Sequence, residues 1–392
     1  MNRDYRQSTT PTNSAPPKVT GKTPTEYKAY SGEWAQGFLL RMESGYTEGP
    51  VGFGVDGLGL VGIRLDSGRG RSGTGLLQLD NETGKAQDEY ASAGATAKMR
   101  ISKSVLKGGT LQLKNPAIQS GDSRLLPQTF LGTHGNMLEI EGLDFNAGQL
   151  NQVKQRDSSD NADITINGKP LATSDQFRFA GGSYAVTKEL SLAYYYSELE
   201  NIYDQNFAGL VYLRPLAEGQ FVKADLRYAD SNDNGDSEAG SLDNQSLNGM
   251  LTYGIGAHAF GLGYQRMNGD NAFPYITESD PYLVNYVQIG NFASTEEKSW
   301  QARYDLNFAS YGIPGLSLMT RYVNGDNIKL ANGSNDGQEW ERDTDIAYLF
   351  QSEALKGLGV KWRNATYRSN LIKNTQALDE NRLIVSYTTP IW

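Results

Sequence analysis

Alternation at every second residue constrains this chain more than any other feature. From Lys298 to Phe308, an extended strand puts Trp300, Ala302, Tyr304, Leu306 and Phe308 on one face and Gln301, Arg303, Asp305 and Asn307 on the other. Leu316, Leu318, Thr320 and Tyr322 oppose Ser317, Met319, Arg321 and Val323 in the same way. So do Val222, Ala224, Leu226 and Tyr228 against Phe221, Lys223, Asp225 and Arg227. Leu358, Val360 and Trp362 oppose Gly359, Lys361, Arg363 and Ala365, and Phe38, Leu40, Met42 and Tyr46 oppose Leu39, Arg41, Glu43 and Gly45. Phe177 and Phe179 point away from Arg178, and in the last stretch Leu383, Val385 and Tyr387 point away from Arg382 and Ile384. In a soluble sandwich the charged face of such strands meets water outside. In a membrane β-barrel it lines the lumen, because a charge facing lipid near the midplane costs about 2–4 kcal/mol.

Alternating segments at 1–6, 35–46, 50–65, 94–103, 109–114, 136–142, 144–155, 176–186, 189–198, 202–214, 219–229, 247–256, 258–267, 298–308, 315–323, 342–351, 358–368 and 381–389 predict about eighteen strands. That number is even, as in bacterial barrels, and too large for one sandwich. Short connections (Val186–Glu189, Pro215–Gly219, Gly256–His258, Gly312–Gly315, Glu353–Gly357) alternate with long polar ones at about 7–33, 66–92, 115–135, 156–175, 230–246, 268–297 and 324–340. A meander with tight turns at one end and long loops at the other is an outer-membrane pattern. No fixed-period repeat supports a propeller or solenoid. The proline-rich segment 7–25 is expected to be a loop, so residues 1–392 are expected to form one all-β domain, an 18-stranded antiparallel transmembrane barrel.

Composition narrows the choice. Mean hydropathy is -0.53, and no apolar run approaches the roughly 20 residues a helix needs to cross a bilayer. A barrel tolerates this, since only alternate residues face lipid. A net charge of -9 argues against nucleic acid, and the absence of cysteine removes disulfides and thiolate zinc sites. Met1 leads straight into Asn2-Arg3-Asp4-Tyr5-Arg6 with no signal peptide, so an exported chain of this kind is expected to be a mature or re-engineered form. At the other end the chain stops on Trp392, straight out of a strand, where soluble domains usually finish in a polar tail.

A lumen lined by Arg41, Arg178, Lys223, Arg227, Arg303, Arg321, Lys361, Arg363 and Arg382 has a physical use. Spaced cations in a narrow channel lower the barrier for an anion and hand it from site to site, and the arginine fork matches a carboxylate. For each single arginine the alternative is a wall salt bridge, with Glu43, Asp225 or Asp305 as candidate partners. Other motifs carry less. Gly57-Leu58-Gly59-Leu60-Val61-Gly62 fits a dinucleotide pattern but continues as strand, so these glycines are expected in the wall. Asp230-Ser231-Asn232-Asp233-Asn234-Gly235 starts like a calcium loop, yet Ser241 stands where the bidentate Glu belongs. His134 and His258 lie in different connections, which leaves no triad or histidine metal site; no enzyme activity and no cofactor are expected.

Taken together, Glu33-Trp34-Ala35-Gln36-Gly37-Phe38, Val51-Gly52-Phe53-Gly54-Val55-Asp56, Gly121-Asp122-Ser123-Arg124-Leu125-Leu126-Pro127-Gln128-Thr129-Phe130, Lys298-Ser299-Trp300-Gln301-Ala302-Arg303-Tyr304, Lys361-Trp362-Arg363-Asn364 and Asp379-Glu380-Asn381-Arg382-Leu383-Ile384-Val385 resemble the OprD-type porins, outer-membrane carboxylate channels of Gram-negative bacteria. The resemblance spans essentially the whole chain, and departs where the family's first strand normally begins before the Asn-Arg-Asp motif. It implies a barrel with an inward-folded loop, Ser123 and Arg124 at the constriction, a basic ladder through the lumen, and an aromatic end read by barrel-assembly machinery. It also implies outer-membrane lipid and lipopolysaccharide as surroundings, and a monomer or weak homotrimer. One family branch favours basic amino acids and related compounds, the other aromatic and cyclic carboxylates. Asn271–Ile276, Asp280–Asn285 and Glu339–Asp343 look like the amino-acid branch, so the expected solutes are basic amino acids or small peptides. Aromatic carboxylates, a barrel enzyme or adhesin, and a soluble all-β binding protein are the alternatives.

Overall fold

Eighteen antiparallel strands form the wall in a computed structural model that describes residues 1–8, 30–68, 70–80, 82–371 and 377–391. They are β1 (Asn2–Ser8), β2 (Tyr30–Glu43), β3 (Val51–Asp66), β4 (Glu89–Ile101), β5 (Ser104–Leu111), β6 (Thr129–Met137), β7 (Leu143–Lys154), β8 (Phe177–Ala185) and β9 (Leu190–Leu199). The second half comprises β10 (Tyr203–Ala217), β11 (Gln220–Asp233), β12 (Asp243–Ile255), β13 (His258–Asn268), β14 (Lys298–Asn307), β15 (Leu316–Ile328), β16 (Gly337–Leu349), β17 (Leu358–Ser369) and β18 (Ala377–Tyr387). Each strand pairs with its neighbours in sequence. The first strand pairs with both β2 and β18, placing Arg3 opposite Glu33 and Arg382, so the ladder closes on itself. Pairing of β1 on both sides satisfies the backbone at Tyr30–Trp34 and Ala377–Leu383, as a sheet in lipid requires.

Which face is covered settles the sandwich question. Leu262 is 66% exposed, Val385 56% and Trp300 46%, while Gln301, Glu341, Asp343, Glu380 and Arg382 are buried. A soluble protein would do the reverse. Here the apolar face looks outward to lipid and the polar face looks in.

The interior is not an open tube. Leu111, Phe130, Leu150, Phe177 and Leu199 of the wall form a core with Ile118, Ile164, Ile166 and Ile276, which belong to loops folded back into the barrel. The loops at 112–128, 155–176 and 269–297 therefore occupy space that water would otherwise fill.

All eighteen expected strands exist, with shifts that have local causes. The sixth was expected at 136–142 and runs from Thr129 to Met137. The apolar Leu138 and Ile140 that suggested a strand sit exposed in a turn. Glu139 between them accepts hydrogen bonds from Ser102 Oγ at 3.0 Å and from Lys103 N and Ser104 Oγ at 2.9 Å, which caps the adjacent β4–β5 turn. Strand β11 continues through Asp230–Asp233, where the sequence suggested a loop, because each of these residues has a backbone partner on β10. The Asp233 carboxylate accepts from Ser237 Oγ and Leu242 N, so the apparent calcium loop is a strand end with an internal cap. The Gly57–Gly62 glycines lie inside β3. His134 and His258, expected in connections, stand in β6 and at the start of β13. The expected loop at 7–25 falls almost entirely outside the described residues, and Trp392 lies outside them.

Candidate functional site

Two loops meet across the lumen. Gln128 Nε2 donates to Thr277 O at 2.8 Å, and Gln119 forms an isolated antiparallel bridge with Asp280. Gly121 faces Glu278 across this contact, and a Cβ there would collide with the Glu278 carbonyl oxygen. Gly121→Ala should therefore push the loops apart and raise single-channel conductance without altering the wall; unchanged conductance would mean the loops do not set the aperture.

The loop at 269–297 is fastened along the wall. Arg227 Nη1 donates to Tyr282 O at 2.8 Å, and its guanidinium stacks on the Tyr282 ring at 3.9 Å. Ile289 N and Gly290 N donate to the Glu341 carboxylate on β16 at 2.9 and 2.6 Å. The loop at 155–176 joins through Arg156, whose Nε donates to Glu278 Oε2 at 3.1 Å and whose Nη1 donates to Ser123 Oγ at 2.5 Å.

Between these loops and the wall lies a cavity of ≈ 400 Å³ lined by Ser123, Arg124, Arg156, Arg321, Arg363 and Arg382, with Glu278, Asp280, Tyr275 and Tyr286 on the loop side. Five of the expected site residues thus converge. The lumen arginines Arg227, Arg303, Arg321, Arg363 and Arg382 each have a carboxylate partner, and the manner of pairing differs among them. Arg227 binds Asp225, and Arg303 binds Asp305, with two donors each. Arg321 offers only Nε to Asp343 (2.7 Å), and Arg363 only Nε to Asp345 (3.0 Å). Their terminal nitrogens have no partner among the described residues, although both side chains line the cavity. The salt-bridge alternative therefore holds for these residues, but Arg321 and Arg363 keep donors for a solute.

The remaining expected residues lie elsewhere. Arg303, Asp305 and Lys361 line a second cavity of ≈ 440 Å³ nearer the short turns, beside Asp345. Arg41 stands on the opposite side of the lumen with Lys107 and Lys114, around a cavity of ≈ 300 Å³. It donates to Gln112 Oε1 at 2.9 Å, not to Glu43. Lys223 shares the Arg303 register row through Thr252 and Gly261. Arg178 is a correction. Phe177 and Phe179 are buried in the interior core, so Arg178 faces outward, exposed and 3.8 Å from Glu200. The aromatics marked the inner face there because loops pack against them. Sequence reasoning also missed Arg156, Glu278 and Gln288, which lie in polar loops with no periodicity to point at the lumen.

The two loop carboxylates on the cavity behave differently. Burial pulls Glu278 upward, but the charge and hydrogen bonds of Arg156 outweigh it and hold the carboxyl below its ordinary value. Burial dominates at Asp280 and raises it, with Tyr282 N–H, Arg227 and Lys114 opposing. On acidification Asp280 is therefore neutralised earlier than an ordinary aspartate, while Arg156 resists neutralisation of Glu278, and the constriction loses negative charge. Flux of a permanently anionic solute, relative to a neutral sugar, should therefore rise as pH is lowered; a falling ratio would contradict this assignment.

The chain matches the family model described as outer membrane porin, OprD family, over residues 1–391. It is 39% identical to Porin D of Pseudomonas aeruginosa over 383 residues, covering 92% of this chain and 86% of that protein. The crystal structure of Pseudomonas aeruginosa OpdQ is 52% identical, with a TM-score of 0.86, covering 100% of this chain and 97% of that one. That of Pseudomonas aeruginosa OpdK with vanillate is 35% identical, with a TM-score of 0.87, covering 98% and 96%.

Proposed function

The chain belongs to the OprD family of outer membrane porins, channels for small molecules in the outer membrane of Gram-negative bacteria, and on that premise we propose that its solutes are small carboxylates, amino acids first among them. The observation that carries this reading is the pair Arg321 and Arg363, each held to the wall by Nε alone while lining the constriction cavity. An arginine fixed this way is pre-oriented, and its terminal donors suit the two oxygens of a carboxylate. Glu278 and Asp280 on the loop side of the same cavity favour a solute that also bears an ammonium group, as amino acids do.

A second reading, aromatic carboxylates, has its own support. Tyr275 and Tyr286 line the same cavity, and the related OpdK was solved with vanillate. Swelling of proteoliposomes separates the two when arginine, benzoate and a neutral sugar are compared at matched osmolarity. The amino-acid reading expects arginine to enter fastest. Faster benzoate would replace it with the second reading, and equal rates for all three solutes would remove both.

A further inference from the structure

Arg382 is more covered than the other wall arginines of the constriction: its side chain is 1% exposed and that of its partner Glu380 is 0%. Its guanidinium is engaged on several sides. Nε and Nη2 donate to the two Glu380 oxygens at 2.6 and 3.0 Å. Nη1 donates to Ser123 O at 3.1 Å, and Nη2 also donates to Gln288 O at 3.3 Å. Gln288 Nε2 in turn donates to Glu380 Oε2 at 3.3 Å. Ser123 and Gln288 belong to the two loops that form the constriction, and the third loop reaches Ser123 and Glu278 through Arg156. Two loops and strand β18 are thus tied through one buried ion pair, and the third loop is fastened to those two through Arg156.

We infer that Glu380 and Arg382 form a latch that fixes both constriction loops to the wall, making them positioning residues for the aperture and not a rung that solutes touch. A rung needs donors turned to the pore; the Arg382 donors are turned to Glu380 and to two loop carbonyls. The planar fork is required because one group must serve a carboxylate along one edge and carbonyls along the others, which a lysine ammonium on a flexible stem does not reproduce. The inference requires that the chain be a pore, and does not depend on which solutes are preferred.

The test uses the full-length channel in planar bilayers and proteoliposomes, with potassium chloride and a neutral sugar as probes. Arg382→Gln and Glu380→Gln should raise conductance and sugar uptake together, by roughly twofold, with added flicker as the loops loosen. Arg382→Lys should resemble Arg382→Gln, because charge alone does not rebuild the latch. If Arg382→Gln fails to assemble, the double variant Glu380→Gln/Arg382→Met removes both charges of the pair together and carries the same expectation. Gln288→Leu, which leaves the wall intact, should shift conductance the same way by less. Lower anion conductance with unchanged sugar uptake, or full rescue by Arg382→Lys, would overturn the latch and make Arg382 a rung. Probing the aperture with salt and sugar keeps this outcome separate from any failure of the carboxylate reading.

Discussion

Replacing Arg321 and Arg363 together by Ala should cut carboxylate uptake by about tenfold or more while leaving a neutral sugar nearly unaffected. A hydrogen bond to a charged group is worth about 1.5–3 kcal/mol, and about 1.4 kcal/mol corresponds to tenfold in an equilibrium. Losing both guanidinia therefore removes enough solute stabilisation to be plain in a swelling assay. The substitution also makes the local charge more negative. Asp343 is fully buried, and one of its oxygens has no hydrogen-bond partner among the described residues even with Arg321 in place. Without Arg321 it would face the cavity beside the equally buried Glu341, and would repel an arriving anion. Removing both members of that pair, as Arg321→Ala/Asp343→Asn, should restore part of the flux. Equal losses for sugar and carboxylate would mean that the substitutions damaged the barrel and not the solute path.

The second large effect concerns which way the wall faces. Leu251 and Thr252 are neighbours on β12, with Leu251 53% exposed, and Thr252 in the lumen row of Lys223, Gly261 and Arg303. Leu251→Arg should destabilise the folded barrel by about 2–4 kcal/mol in a lipid refolding titration, the cost of a charge on the lipid face near the midplane. Thr252→Arg, one residue away, should cost little and instead change conductance. If both were tolerated, or if the order were reversed, the assignment of inner and outer faces would be wrong.

The contrast between these neighbours also explains why the barrel was legible in the sequence. Period-2 alternation is local, so Trp300 beside Gln301 and Trp362 beside Arg363 declare their faces without any knowledge of distant residues. The rule failed at Phe177–Phe179. There the inner face is apolar because loops fold onto it, and Arg178 was assigned to the lumen although it points out. The same cause hid much of the site. Arg382 meets Ser123 across 259 positions and Arg156 meets Glu278 across 122, and no windowed pattern carries such contacts. Ser123 and Arg124 were found only through the family resemblance. The carboxylate partners of Arg227 and Arg303 were visible two residues away, whereas Asp343 and Asp345 became partners only once register joined β16 to β15 and β17.

A lumen lined by Arg321 and Arg363 should favour carboxylates over neutral solutes of similar size. Proteoliposome swelling with an amino acid, an aromatic carboxylate and a neutral sugar, run for the intact channel beside Arg321→Ala/Arg363→Ala, tests it most directly. The expected result is faster carboxylate entry through the intact channel and loss of that advantage in the variant. Equal entry of sugar and carboxylate through the intact channel, or an advantage that survives the loss of both arginines, would contradict it.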